Sequence, residues 1–356
     1  MFKKLLILTS LTATMVFSSS AISSEDKLML KKDYPTNYTV KKGDTLWDIS
    51  ALFLDDPWFW PKLWKINPSI NNPHLIYPGD KLSLSWHNGN PVLSVKPLKK
   101  LSPKVRTQIK EPVPTLAPSL VVPYLQSDKL IDSTNYQSAY RVLGTSDGRK
   151  FLSANERVYV DAELSHKEWG IYRVVNEFTR NDKKQMSYAL RSVGRAELAE
   201  STNKISGLRV IKQQQEIGIN DIVLPLGKND IESELTTTFY PSTAPIDLQA
   251  AILGSIDGGQ YLAVNQVAVI NKGSEDGVIQ GSMFTLKESG HVVQGDKGEY
   301  QYAIDKASKK GIQLPQTNVG ELIVIRPYEY FSLALITKSE APIHKSIIAV
   351  SPQGNH

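Results

Sequence analysis

The side chains best suited to chemistry in this 356-residue chain are few and scattered. There is no cysteine, which removes thiol catalysis, thiolate metal sites, a disulfide scaffold and a lipidated N-terminal cysteine. Six histidines (His74, His87, His166, His291, His344 and His356) show no ligand spacing of the H-E-x-x-H kind, so the sequence points to no metal and no cofactor. No G-x-S-x-G run offers a serine nucleophile. Asp55 and Asp56 are adjacent carboxylates, but a glycosidase needs its two acids on opposite sides of a bond, and a pair before Pro57 reads as turn or cap. Gly273, Gly277 and Gly281 are followed by no helical pattern, so they fit turns better than a phosphate cradle. Recognition remains. Five of the six tryptophans (Trp47, Trp58, Trp60, Trp64 and Trp86) crowd into residues 38–86, and an exposed indole can stack on the C–H face of a sugar.

The elements that must position this segment can be read in order. Tyr38-Thr39-Val40 is a strand stub ended by Gly43. Thr45 and Asp48 have capping-box spacing, with Asp in place of Glu or Gln. Leu46, Ile49 and Phe53 then fall on one face of a helix. Trp60-Pro61 can start a second helix, with Leu63 and Ile66 inward and Pro68 ending it. Tyr77-Pro78-Gly79-Asp80 is a turn into a closing strand, Lys81–Leu84. Trp60 and Trp64, one helical turn apart, enlarge a core otherwise too small for stability. For Trp58, a core position and a sugar-stacking position weigh equally.

With the opening Tyr38-x-Val40-x-x-Gly43-Asp44-Thr45-Leu46-x-x-Ile49 and the closing Asn72-Pro73-x-Leu75-Ile76-Tyr77-Pro78-Gly79, the segment resembles a LysM domain, the family that binds N-acetylglucosamine-containing glycans such as peptidoglycan and chitin. The wider arrangement resembles LysM-containing envelope proteins of Gram-negative bacteria. The resemblance implies a shallow groove between Gly43-Asp44-Thr45 and Asn72-Pro73-His74-Leu75-Ile76-Tyr77, with Trp58 alongside. An N-acetyl group brings a carbonyl acceptor, an N–H donor and a methyl. Loop amides and carbonyls would pair with the first two, and Leu75 or Ile76 would cover the third. One sugar buries little area against the cost of association, so useful retention needs several sugars or several molecules.

Around this segment the composition changes twice. Lys3 and Lys4 precede an apolar run from Leu5 to Phe17, too short to span a bilayer, followed by Ser19 and Ala21 at cleavage positions. Residues 1–21 therefore read as a signal peptide for export to the periplasm. Its removal takes two lysines and lowers the formal charge from +5, leaving a nearly neutral chain and no case for nucleic acid. Residues 87–123 hold seven prolines and six cations (Lys96, Lys99, Lys100, Lys104, Arg106 and Lys110), which reads as a semi-rigid spacer of up to ~100 Å.

From about residue 124 short β-branched runs alternate with Gly, Asp and Asn. Gly144–Asn155 resembles Gly254–Asn265 at an offset of 110, and Val193–Leu198 resembles Val319–Val324 at an offset of 126. The pattern predicts a duplicated pair of small β-modules, 124–230 and 245–353, each a barrel or sandwich, with a 16-residue insertion between Gly290 and Gln316 of the second. The expected architecture is thus an α+β βααβ domain at 38–86, a spacer, and an all-β region. The expected function is non-catalytic binding of peptidoglycan strands, with no transmembrane span after cleavage. One alternative is an envelope scaffold whose β-modules hold a protein partner; another is a LysM-targeted wall hydrolase.

Overall fold

The computed structural model describes residues 28–65, 76–87, 89–96, 113–148, 157–226, 237–256, 258–303 and 311–352. The signal peptide expected at 1–21 lies outside them.

The N-terminal domain begins with strand β1 (Asn37–Thr39) and helix α1 (Leu46–Phe53). A single 3-10 turn at Pro57–Phe59 leads into α2 (Trp60–Lys65). Strand β2 (Lys81–His87) pairs antiparallel with β1 and with β3 (Asn90–Lys96). Leu46, Ile49 and Phe53 bury one face of α1 against Trp60, Leu63, Trp64, Leu82 and Leu93. Trp60 and Trp64 are core residues, as their spacing predicts. The third strand was not expected. Residues 90–96 belong to this sheet, and residues 113–127 are also ordered against their neighbours, so the spacer expected at 87–123 shrinks toward 97–112, which lies outside the described residues.

Beyond it come α3 (Pro118–Val122), which continues as a π-helical turn at Pro123–Ser127, then β4 (Lys129–Asp132) and α4 (Ser133–Ser138). Strands β5 (Tyr140–Gly144), β6 (Arg157–Val160), β7 (Glu168–Arg180), β8 (Gln185–Ser201), β9 (Ser206–Gln213) and β10 (Ile222–Pro225) close a six-stranded antiparallel barrel. Around its wall the order is β5-β6-β9-β8-β7-β10 and back to β5. β11 (Ser242–Thr243) precedes a second barrel of β12 (Gln249–Ser255), β13 (Val267–Ile270) and β14 (Ser282–Glu288). Three short strands then form their own sheet: β15 (Val292–Gln294), β16 (Gln301–Tyr302) and β17 (Ile312–Gln313). β18 (Thr317–Pro327), β19 (Ser332–Ser339) and β20 (Ile348–Val350) complete the barrel in the order β12-β13-β19-β18-β14-β20 and back to β12.

Ranked by chain position, the two walls have the same strand order. Their registers also agree: Val142 faces Val160 as Ile252 faces Ile270, and Ala196 faces Val210 as Leu322 faces Ile336. The interiors match as well. Val142, Val158, Val193, Leu208 and Ile217 in one barrel stand where Ile252, Ala268, Val319, Ala334 and Ile343 stand in the other. At Gly194 and Gly320 the ladders come so close that an added Cβ would lie 2.8 Å from the Lys212 carbonyl and 2.2 Å from the Lys338 carbonyl. No side chain fits there. The 16-residue difference is not confined to 290–316. Ile171 faces Gly194 and Leu286 faces Gly320, an offset of 115, so five extra residues precede β14 and eleven lie between β14 and β18.

One apolar cluster joins these parts. Phe178 and Ala189 from the projecting β7–β8 arm meet Val267, Val269, Ile323, Leu333 and Leu335 on the outer wall of the second barrel, with Trp58, Leu116, Val121 and Phe239 packed among them. Beside it Arg180, 1% exposed, holds Asp276 through two nitrogens at 2.6 and 2.9 Å and Asp182 at 3.0 and 3.1 Å. Burial works against these charges, but the hydrogen bonds prevail: Asp276 stays below the usual carboxylate range and Arg180 above the usual guanidinium one.

Candidate functional site

The cleft is framed by two turns of the same build. In Lys41–Asp44 the Asp44 carboxylate accepts from Lys41 N–H at 2.8 Å, and in Tyr77–Asp80 the Asp80 carboxylate accepts from Tyr77 N–H at 3.0 Å. Each turn is closed by a backbone bond from its Asp to its first carbonyl, and each has Gly at the third position with φ near +98° (Gly43) or +99° (Gly79). Val40, which leads into the first turn, is bonded to the second: its N–H donates to the Asp80 carbonyl at 2.9 Å and its carbonyl accepts from Gly79 N–H at 2.8 Å. Asp44 also accepts from the Tyr38 hydroxyl at 2.9 Å. Burial, that hydrogen bond and the charges of Asp44 and Asp48 push the Tyr38 phenol up to about 12.

Thr45 is the N-cap of α1 and is itself buried. Its hydroxyl accepts from Asp48 N–H at 3.0 Å while Asp48 accepts from Thr45 N–H at 3.2 Å, the reciprocal box the sequence predicts. Thr45 therefore shapes the site without presenting its side chain to it. The first two amides of α1, on Leu46 and Trp47, are left for another acceptor.

The structure fills those positions from the chain itself. Val113-Pro114-Thr115 forms a strap between the two sides, bending at Thr115. Leu46 N–H donates to the Pro114 carbonyl at 2.8 Å and Trp47 N–H to the Thr115 carbonyl at 3.2 Å. From the other side Val113 N–H donates to the Ile76 carbonyl at 3.0 Å, and the Val113 side chain sits in the domain core. Thr115 is fully buried and ties the strap to the start of the second barrel: its N–H donates to Thr237, and its hydroxyl donates to the Phe239 carbonyl at 2.6 Å and accepts from Phe239 N–H at 3.1 Å.

The expected site residues therefore divide. Gly43, Asp44, Thr45 and Tyr77 frame the cleft. Ile76 contributes its carbonyl, but its side chain is buried in the core and is not available to cover a ligand methyl. Trp58 is 8% exposed, stacked on Phe59 with ring centroids 3.7 Å apart and locked in the cluster shared with the second barrel, so it offers no sugar-stacking face. Asn72, Pro73 and Leu75 lie outside the described residues. Of the adjacent acids Asp55 and Asp56, Asp56 meets Glu321 of β18. Burial, then the charge and hydrogen bond of Asp56, raise the Glu321 carboxyl to about 7, with Lys338 opposing.

Sequence reasoning missed the Leu46 and Trp47 amides as donors and missed the strap. A trace of the strap was present: Val113 stands between Pro112 and Pro114 and is followed by Leu116, Leu120 and Val121, an apolar island in a proline- and lysine-rich run.

Among the described residues no group of histidines and acids could hold a metal ion, and no helix is long and apolar enough to cross a membrane. The chain is 44% identical over 63 residues to the uncharacterized protein YqbP of Bacillus subtilis (strain 168), a match covering 15% of this chain and 29% of YqbP. Residues 38–85 match the family model of the LysM domain. The β-α-α-β order, the two Gly-Asp turns and the capped first helix agree with that match, and residues 38–85 are a LysM domain, a peptidoglycan- and chitin-binding domain.

Proposed function

We propose that this is an exported, non-catalytic protein that holds peptidoglycan through the N-acetylglucosamine units of its glycan strands, in the periplasm of a Gram-negative envelope. One observation carries the reading: the LysM domain at 38–85, in which the Leu46 and Trp47 amides stand on one side of Val113–Thr115 and the Ile76 carbonyl on the other. Two donors facing one acceptor suit an acetamido group better than a hydroxyl alone. The signal-like N-terminus supports export, and the match supports the glycan class.

Sedimentation of the full chain with purified sacculi tests this. The chain is expected in the pellet, displaced by N-acetylglucosamine oligomers and retained at ~0.5 M salt, where exposed charges are screened within a few Å. A chain that leaves the pellet with salt alone excludes the groove reading, and so does one that stays in the supernatant both as wild type and with the Val113–Thr115 strap loosened. Lysis of the sacculi would instead favour the hydrolase.

A second reading, an envelope scaffold with a protein partner, draws on the two barrels. Their shared strand order and register support descent from one duplicated module. The sheet of β15, β16 and β17, added only to the second, exposes Tyr300, Tyr302 and Ile312, with Tyr302 at 69%. Crosslinking from Tyr302 in cells would separate the readings: a specific protein adduct favours the scaffold.

A further inference from the structure

The strap has the functional groups of the ligand the cleft is proposed to take. Pro114 supplies a carbonyl to the Leu46 amide, Val113 supplies an N–H to the Ile76 carbonyl, and the Val113 side chain supplies branched methyls to the apolar floor beside it. These are the three parts of an acetamido group: acceptor, donor and methyl. Residue types favour the pose. A residue before proline is held extended, and Val113 precedes Pro114. Pro114 itself has no N–H to leave unpaired in a buried crossing. Thr115 fastens the far end with three hydrogen bonds to Thr237 and Phe239, which belong to the lead-in of the second barrel and not to the LysM domain.

We propose that Val113–Thr115 is a self-ligand: it occupies the glycan cleft of the LysM domain, and a glycan strand binds only when it displaces the strap. The inference rests on the reading of that cleft as the glycan site. Two consequences follow. Apparent affinity is the affinity of the open cleft reduced by the fraction of molecules that are open. And because Thr115 is anchored to the second barrel, the grip of the barrel on residues 237–239 sets that fraction, so wall binding and the state of the barrel are linked in both directions.

The test uses the full chain and an N-acetylglucosamine tetramer. Thr115→Ala removes both hydroxyl bonds to Phe239 while keeping the LysM residues, and its dissociation constant for the tetramer is expected to fall about tenfold. In the wild-type chain, amide hydrogen exchange at saturating tetramer is expected to show Val113 and Thr115 losing protection while Leu46 and Trp47 keep theirs, now donating to the sugar. Should Thr115→Ala fold poorly, Pro114→Gly, which loosens the strap without removing a hydrogen-bonding group, is expected to tighten binding in the same direction. If the tetramer binds, Val113 and Thr115 stay protected and the variants bind like wild type, the strap is a fixed staple; the self-ligand is then refuted and the glycan reading stands. If neither the wild-type chain nor any loosened variant binds tetramer or sacculi, the cleft is not a glycan site and the inference fails with it.

Discussion

At Thr45 and Asp48 the side chains close a ring around the first turn of α1, and the two amides that this ring does not reach, on Leu46 and Trp47, are the ones aimed across the cleft. Capping thus selects the donors that are left for the strap. Asp48→Ala should cost about 1 kcal/mol of stability and weaken protection at Thr45 first, measured by denaturant unfolding and amide exchange. Arg180 carries a larger stake. It is buried with Asp276, Asp182 and the Tyr330 carbonyl as partners, so Arg180→Ala leaves the largely covered Asp276 with only Lys272 and the Gly273 amide, while Asp182 is half exposed. A loss of about 2–3 kcal/mol is expected, read as a lower urea midpoint; a shift near zero would mean that Lys272 and water already compensate Asp276. Neither residue could be ranked from sequence. The box was legible because its members are three residues apart, whereas Arg180 and Asp276 are 96 apart and meet only once the β7–β8 arm is laid along the second barrel.

Whole elements were legible where a local pattern and the fold agreed. Leu46, Ile49 and Phe53 gave α1, and Leu63, with Trp60 and Trp64 as core residues, gave the inner face of α2, because helix period and burial coincide there; Ile66, expected on the same face, lies outside the described residues. Strand β3 was lost because prolines dominated the reading of residues 87–123, although Asn88-Gly89 is a strong hairpin signal ahead of alternating residues. The strap was lost for a deeper reason. A segment outside helix and strand has no period of its own, and Val113 is buried only because a cleft formed by residues 40–80 stands ready to receive it. Strand β18 makes a sharper prediction. Its Glu321 is protonated up to about pH 7 in the folded chain but only to about 4.5 when unfolded, so the folded state binds the extra proton between those values. Its contribution is complete below about pH 4.5 and is lost as pH rises through about 7. The stability difference between wild type and Glu321→Gln, followed by urea unfolding, should shift against wild type across that window; a difference flat with pH would mean that burial and Asp56 do not raise the Glu321 carboxyl.

Across the molecule, the LysM domain and the second barrel share one apolar cluster, and that sharing decides how the glycan cleft behaves. Trp58 belongs by sequence to the LysM domain, but it is part of the apolar cluster that also holds Leu116, Val121, Phe239, Leu333 and Leu335. A freely tethered binding domain would unfold by itself and leave the barrels untouched. A domain welded through a buried indole cannot, because opening it exposes the barrel wall as well. Trp58→Ala should therefore cost about 3–5 kcal/mol, and the loss should be reported equally by amides of α1 and by Leu333 and Leu335 of β19. Loss of protection confined to α1, with β19 unchanged, would show that the two parts open independently. The strap could not then transmit the state of the barrel to the cleft, since Thr115 would be anchored to a body that does not move with it. Equal loss would mean that the Trp58 indole, for which core and sugar-stacking positions weigh equally in the sequence, is part of the joint through which a bound wall strand is felt in the second barrel.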